Sequence, residues 1–505
     1  MTQLNATFNK LIKGAGLSFL GQVISTGLKY LTQVILAWLM GAEFFGLYTL
    51  GIIIYQLAEL FPRMGLETGA IRYVSIHHSN HDQRRLKGVL LQTLGLPFIS
   101  GLIVGAVLFF ISKPVAQVLF QQPELISVLQ TFALALPFGA SMMAGIFATT
   151  GFQTATYKVL IWEILLPFLN LLLAVIFLYL GWGLWGAASA WGLALMIALM
   201  ATVIVLQKLY PDLFKRQPQP IFESKQLLAL SIPLSLGSFL WLIMLWTDIL
   251  MLGYFRPPTD VGIYRAASQT ALLMTLFTRS LVTIFTPMIA NFYNNDQLDE
   301  LNKLFRVAAR WSFSLTLPLF LIVVVTGEDL LKVFGQEFGI GWIPLIILAA
   351  GQLARAGPGG FSMHILAMSG HQYLKLMGDI VLAATNIGLN LLMIPRWGLT
   401  GAAIATGISI LGVNLLRIIQ VYCVLKVHGF QWGYLKVVVA GSMACLAGFG
   451  MNSYGVSHLP VFLKATCSIC VVFITYTMSL ITLGLERNDR QMIDQTLQKL
   501  GFSKR

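Results

Sequence analysis

Fourteen apolar runs recur along this chain, and they constrain its fold more than any other feature. They lie at approximately 13–40, 45–70, 88–111, 125–150, 159–180, 184–207, 226–252, 262–290, 311–333, 341–369, 376–394, 398–422, 435–455 and 462–484. About 20 apolar residues make a helix long enough to cross a bilayer. In hydrocarbon every backbone N–H and C=O needs a partner inside the protein, so runs of this length are helices. A transmembrane barrel would instead show short alternating segments. Composition agrees: 57% of the 505 residues are hydrophobic and 10% are charged, where a soluble domain is about 25% charged. The sequence predicts an all-α polytopic membrane protein of fourteen transmembrane helices.

A net charge of +13 could point to nucleic acid, but its placement points to a membrane. With the N-terminus inside and the spans alternating, 22 Lys and Arg residues fall on the inner side and 5 on the outer side. The remaining six, Lys29, Arg63, Arg265, Arg279, Arg355 and Arg417, lie within spans. That asymmetry follows the positive-inside rule. It predicts both termini in the cytoplasm. The first run is too long for a signal-peptide core and lacks a clear cleavage site, so it reads as a retained span. Cys467 and Cys470 form a C-x-x-C inside a span without neighbouring histidines, which reads as small apolar residues on a helix rather than a metal or redox site.

The chain also repeats itself. "WGLWGAASAWG" at 182–192 returns as "WGLTGAAIATG" at 397–407, identical at eight of eleven positions with an offset of 215. "FGLYTL" at 45–50 returns as "VGIYRA" at 261–266, offset 216, and "ATTGFQ" at 148–153 parallels "AMSGHQ" at 367–372, offset 219. "NLLL" at 170–173 matches "NLLM" at 390–393. Four matches in one order at a nearly constant offset mark a duplicated unit. The expected organisation is a six-helix bundle at 1–210, a proline-rich cytoplasmic linker at 211–225, a second six-helix bundle at 226–430, and two accessory helices with a cytoplasmic tail at 431–505. Six spans per copy make the repeat parallel, an architecture of transporters with a site between the halves near the midplane. "RAGPGGF" at 355–361 predicts a broken helix in span 10, and "LPFGA" at 136–140 a matching interruption in span 4.

Polar residues inside the runs fall on helical faces. In span 1, Gln22, Ser25, Thr26, Lys29 and Gln33 share one side, and in span 2 Gln56, Glu59, Arg63 and Glu67 do the same with successive i,i+4 ion pairs. On an unbroken span 8, Arg265 and Arg279 stand within roughly 40° of each other and about 21 Å apart, with Ser268 and Gln269 on that face. Lipid takes the apolar faces, so polar stripes face protein or water. Arg63, flanked by its glutamates, either joins helices or lines a cavity. Arg265 lies just inside the outer end, whereas Arg279 and Lys29 sit deeper without a local acid. Arg355 sits beside the broken helix, and Arg417 reads as a snorkelling residue. Together they predict an electropositive cavity, and guanidinium forks suit pyrophosphate.

"GAEFFGLYTLG" (41–51), "DILMLGYF…VGIYRAA" (248–267) and the "WGLxGAA" repeats resemble the polysaccharide-exporter branch of the MOP flippase superfamily. These are Wzx-type O-antigen and exopolysaccharide flippases, relatives of lipid II flippases and MATE exporters. The resemblance runs over about residues 10–485. It implies two six-helix bundles plus accessory helices that carry polyprenyl-pyrophosphate-linked oligosaccharide from the inner to the outer leaflet by alternating access. It also implies that basic residues of a central cavity hold the pyrophosphate, and Lys29, Arg63, Arg265 and Arg279 lie in the spans that line it. With Gln33, Glu59, Gln269 and Arg355, read from the residues themselves, they make the expected substrate site. The sodium site of lipid II flippases is similar to Asp248, Asn386, Asn390 and Thr406, with Asn390 replacing an acid, so the coupling ion is Na⁺, H⁺ or none. No other cofactor or metal is implied; polysaccharide polymerase or export proteins are the expected partners.

A lipid II flippase and a MATE-like drug exporter are the alternatives, though a drug exporter moves cations and wants an acidic cavity. An enzyme of the same lipid pathway would need a large catalytic loop or a D-x-D metal motif, and the sequence has neither. "HHSNHD" at 77–82, with His77, His78 and His81, lies in a basic inner loop and reads as solvated.

Overall fold

The computed structural model describes residues 2–451 and 461–484. The expected tail with Arg487, Arg490, Lys499, Lys504 and Arg505 lies outside them. Among the described residues there are sixteen α-helices and no strand. In chain order they are α1 (Thr2–Arg63), α2 (Leu66–Ser79), α3 (Gln83–Pro114), α4 (Leu125–Thr150), the single turn α5 (Thr156–Lys158), α6 (Leu166–Tyr179), α7 (Gly183–Leu209) and α8 (Ser224–Phe255). Then follow α9 (Pro258–Leu273), α10 (Thr275–Asn294), α11 (Leu298–Lys332), α12 (Trp342–Ala356), α13 (Pro358–Met368), α14 (Gln372–Leu425), α15 (Gly433–Gly450) and α16 (Val461–Thr482). This is a multi-pass membrane protein with an all-α architecture.

Among the described residues ten helices are long and apolar enough to cross a membrane, or eleven if the bent pair α9 and α10 is one span. That is fewer than fourteen, for a physical reason. Runs expected as spans 1 and 2 are merged in α1, which is non-helical at Gly41 (φ 76°, ψ 170°). Runs 11 and 12 are merged in α14, non-helical at Gly398 (φ 56°, ψ −132°). Each joint occupies a single residue, so the two runs share one continuous element. In α8 the apolar helix Leu242–Phe255 is a shorter one.

The repeat of the sequence is visible in these corners. Gly183 and Gly398, the second residues of the two WGLxGAA copies, both have positive φ (53° and 56°), the region that favours glycine. The copies of the other motif meet each other. A Cβ on Gly46 would stand 1.9 Å from the Pro258 carbonyl oxygen, and one on Gly262 would stand 2.1 Å from the Ala42 carbonyl oxygen. The offset that pairs Gly46 with Gly262 also pairs Ala42 with Pro258, so each copy presses the other reciprocally. Only glycine permits backbones this close.

The chain divides into two compact units, Met1–Ala266 and Ala267–Arg505. In the first, α3 lies along α4, and α8 packs on α1 and α2. The expected linker is fastened to this unit. Tyr210 Oη donates to the Gln83 carbonyl at 3.0 Å, the Ile221 N–H donates to the Arg84 carbonyl at 3.0 Å, and Lys87 Nζ donates to the Pro218 carbonyl at 3.0 Å. Lys87 is therefore buried, its charge spent on linker carbonyls. His77 Nε2 lies 2.8 Å from Glu223 Oε2, and the His78 ring packs edge-on against Phe152. His77 is thus part of this packed end, while His78 and His81 are exposed as expected of a solvated run. In the second unit α11 packs on α12, α15 and α16, and α12 and α13 pack on α14.

Candidate functional site

Span 8 departs from the unbroken helix. It bends by 42° between α9 and α10, in a stretch, "ALLMTLFT", that holds neither glycine nor proline. The bend has a local cause. The Met274 N–H bonds the Ala271 carbonyl in a tighter turn, and Thr275 Oγ1 donates to the Leu272 carbonyl at 2.7 Å. Hydroxyl groups that bond back to the helix are known to bend it. Arg265 and Arg279 thus sit on two helices rather than one unbroken span. Arg265 is buried and Arg279 exposed.

In the first unit the in-membrane cations stand beside acids. Arg63 Nη1 lies 3.6 Å from Glu59 Oε2, and its Nε contacts Glu67 Oε1. The ladder survives although α1 ends at Arg63, because the turn at Met64 and Gly65 returns Glu67 to it on the first turn of α2. Glu59 also accepts from Tyr55 Oη at 2.8 Å. Lys29 differs from the expectation that it has no acid. Its Nζ is 3.8 Å from Glu163 Oε2 and sits over the Trp162 ring at 5.3 Å from the centroid. Trp162 and Glu163 belong to a π-helical segment, Val159–Leu165, a widened turn frequent at functional sites. Gln33 Oε1 is buried with no hydrogen-bond partner among the described residues.

Asp248 is held by local donors. Tyr264 Oη donates to Asp248 Oδ2 at 2.6 Å, and the Ile249 N–H donates to Oδ1 at 2.8 Å. The Arg265 guanidinium stacks on Trp246 at 4.7 Å and lies within electrostatic reach of Asp248.

The second unit has a different balance. Asn386 Nδ2 donates to Thr406 Oγ1 at 3.1 Å, and Asn390 Nδ2 donates to Asn386 Oδ1 at 3.0 Å. Three of the four residues expected to hold a coupling cation are therefore adjacent, with Asn390 Oδ1 left without a partner. The span 10 break falls where "RAGPGGF" predicts it: α12 ends at Ala356, Gly357 is extended, and Pro358 opens α13. The matching interruption in span 4 does not form, because α4 runs unbroken through Pro137. Gly101 of α3 gives room there, standing so close that a Cβ would lie 2.6 Å from Pro137 Cα. Arg355, one residue before the break, lies within electrostatic reach of Arg279, Arg417 and Asp379. Arg417 is buried and bonded to Asp379 Oδ1, so it does not snorkel. Gln269 is half-buried on α9.

Sequence reasoning missed Glu163 and Asp379. Each is a lone acid within an apolar run, which was the available signal, but Glu163 meets Lys29 of another helix, and Asp379 meets Arg417 from beyond the Gly398 joint of α14.

The polysaccharide biosynthesis protein family matches residues 11–295, and the MatE family matches 233–369. A relative from Haloferax volcanii, a probable low-salt glycan biosynthesis flippase, Agl15, is 25% identical over 52% of this chain. The chain spans 57% of that relative's length. Among solved structures, the lipid II flippase MurJ in an inward closed conformation aligns with a TM-score of 0.71 at 12% identity, covering 92% of this chain and 97% of that one. An inward-facing multidrug resistance MATE family transporter of the MOP superfamily aligns at 0.64 and 17% identity, covering 82% and 94%. The fold is theirs.

Proposed function

This chain belongs to the polysaccharide biosynthesis protein family, and on that premise we propose that it is a lipid-linked oligosaccharide flippase. It moves a polyprenyl-pyrophosphate-linked oligosaccharide from the inner to the outer leaflet by alternating access, for export of cell-surface polysaccharide, with both termini cytoplasmic. Its work is transport rather than catalysis. The observation that carries this reading is in the second unit: neither Arg279 nor Arg355 has a carboxylate within salt-bridge distance among the described residues. Fixed positive charge inside a membrane protein is costly unless something answers it, and a pyrophosphate answers two guanidinium groups at once. The flippase name of the archaeal relative supports the same reading. Lys29, Gln33, Glu59, Arg63 and Arg265 of the first unit and Gln269 of the second are further substrate contacts in this proposal.

The proposed coupling ion is Na⁺ or H⁺; Asn386, Asn390 and Thr406 of the second unit are one candidate set to hold it, and Asp248 of the first unit is another. The unpartnered oxygen of Asn390 supports Na⁺, a hard cation that takes neutral oxygen ligands. The test is reconstitution of the full chain in proteoliposomes with a fluorescent undecaprenyl-pyrophosphate oligosaccharide in the inner leaflet. Its appearance in the outer leaflet is the expected result. Transport of cationic dyes with no lipid movement would overturn the proposal in favour of a drug exporter. Replacing sodium with choline should slow flipping, and an unchanged rate would exclude sodium coupling.

A further inference from the structure

Asp379 stands alone among cations. Its Oδ2 accepts from Lys375 Nζ at 2.9 Å and its Oδ1 accepts from Arg417 Nη2. Both oxygens are therefore committed, while Arg355 stays within electrostatic reach of Arg417 and Arg279 with no acid of its own. Three further features converge here. Arg417 is 4% exposed and its Nε has no hydrogen-bond partner among the described residues. One turn earlier on α14, Asn414 is 5% exposed, and neither its Nδ2 nor its Oδ1 has a partner among the described residues. Asn414 faces the start of α13 so closely that a Cβ on Gly359 would stand 2.4 Å from the Asn414 Cβ. That helix of 11 residues begins at the break with no side-chain cap, so its first-turn N–H groups and dipole favour an anion.

We propose that Arg355, Asn414, Arg417 and the uncapped first turn of α13 form a binding site for the phosphate group of a membrane lipid, occupied at rest by the Asp379 carboxylate. The lipid phosphate displaces the carboxylate from Arg417, and Lys375 keeps Asp379 as an ion pair, so no charge is stranded during the exchange. Buried polar atoms without partners are rare in finished structures, and here Arg417 Nε and Asn414 Nδ2 supply donors that phosphate oxygens satisfy. The ligand is assigned to a lipid because the rim is greasy. Leu376, Met377 and Ile380, beside Lys375 and Asp379 on α14, are exposed, a surface suited to acyl or prenyl chain rather than water. The site would hold the headgroup of the transported lipid as it enters, which rests on the flippase reading.

The test measures equilibrium binding of radiolabelled farnesyl pyrophosphate to the purified full chain in nanodiscs. Asp379→Asn removes the resting occupant and should tighten binding about tenfold, whereas Arg417→Gln and Asn414→Leu should each weaken it about tenfold. Arg355→Gln, at an exposed position, supplies a variant free of buried disruption and should weaken binding severalfold. Unchanged affinity in Arg355→Gln and Asp379→Asn would overturn the site. Competition arms identify the source. Displacement by phosphatidylglycerol vesicles but weakly by inorganic pyrophosphate supports a lipid headgroup, and equal displacement by inorganic pyrophosphate overturns that assignment. Because the readout is binding, it separates from the flipping assay. Flipping with none of these affinity changes sinks the site alone, and the affinity changes in a protein that flips nothing sink the transport reading alone.

Discussion

The two units treat charge inside the membrane differently. In the first, Lys29 stands beside Glu163, Arg63 lies between Glu59 and Glu67, and Arg265 is near Asp248. In the second, Lys375 and Arg417 share Asp379, which also lies within electrostatic reach of Arg355, while Arg279 has no carboxylate within salt-bridge distance among the described residues. A cation with its own carboxylate is a structural joint that happens to be charged, because removing one partner strands the other. Uncompensated cations have no such use in the resting protein. They cost free energy in the membrane and are retained where a ligand neutralises them. On the proposed function, anion capture would fall to the second unit, and the paired charges of the first would act chiefly as structural joints.

The largest effect should follow from Arg279→Ala. Its guanidinium has no protein partner among the described residues, so its loss should leave folding intact while lipid flipping in proteoliposomes falls at least about tenfold, the loss of one charge-assisted contact to pyrophosphate. Full retention of flipping would erase the contrast between the units. The next effect concerns stability and runs the other way. Arg63→Ala leaves Glu59, 8% exposed, and Glu67 facing each other unneutralised. Breaking a buried pair this way costs about 3 kcal/mol, read as a drop in unfolding temperature. Arg355→Ala, removing an unpaired cation at an exposed position, should shift stability by no more than about 0.5 kcal/mol. Equal destabilisation by both substitutions would show that pairing does not distinguish the units.

The parts of this picture legible in the sequence are those set by local chemistry. Apolar run length marked the membrane helices, and "RAGPGGF" marked the break before Pro358 because glycine and proline act on their own backbone. The repeat motifs marked Gly183 and Gly398, where positive φ is required. What stayed hidden depends on partners distant in sequence. The bend at Met274 arises from hydroxyl and carbonyl bonding inside an oily stretch, for which "ALLMTLFT" carries no breaker. Conversely Pro137 marked a break that does not occur, since a proline in a membrane helix is accommodated when a neighbour such as Gly101 packs against it. Lys29 looked acid-free because its acid lies 134 residues away on another element. Stripe logic found the cations and could not find which were answered.

The smallest effect tests that last distinction at its weakest point. Lys29 is a paired cation by geometry, yet at 3.8 Å its contact with Glu163 is long, and its side chain is 47% exposed. Exposure screens such a pair, and comparable pairs contribute about 0.2–1 kcal/mol. Glu163→Gln should therefore lower the unfolding temperature only slightly, with a double-mutant cycle against Lys29→Met giving a coupling of about 0.5 kcal/mol. Released from its acid, Lys29 becomes a free cation like those of the second unit, so Glu163→Gln should tighten pyrophosphate binding modestly, about twofold to threefold, with a steeper dependence on ionic strength. A coupling above about 2 kcal/mol, with no change in anion affinity, would instead place Lys29 among the structural joints with Arg63 and leave anion capture to the second unit alone.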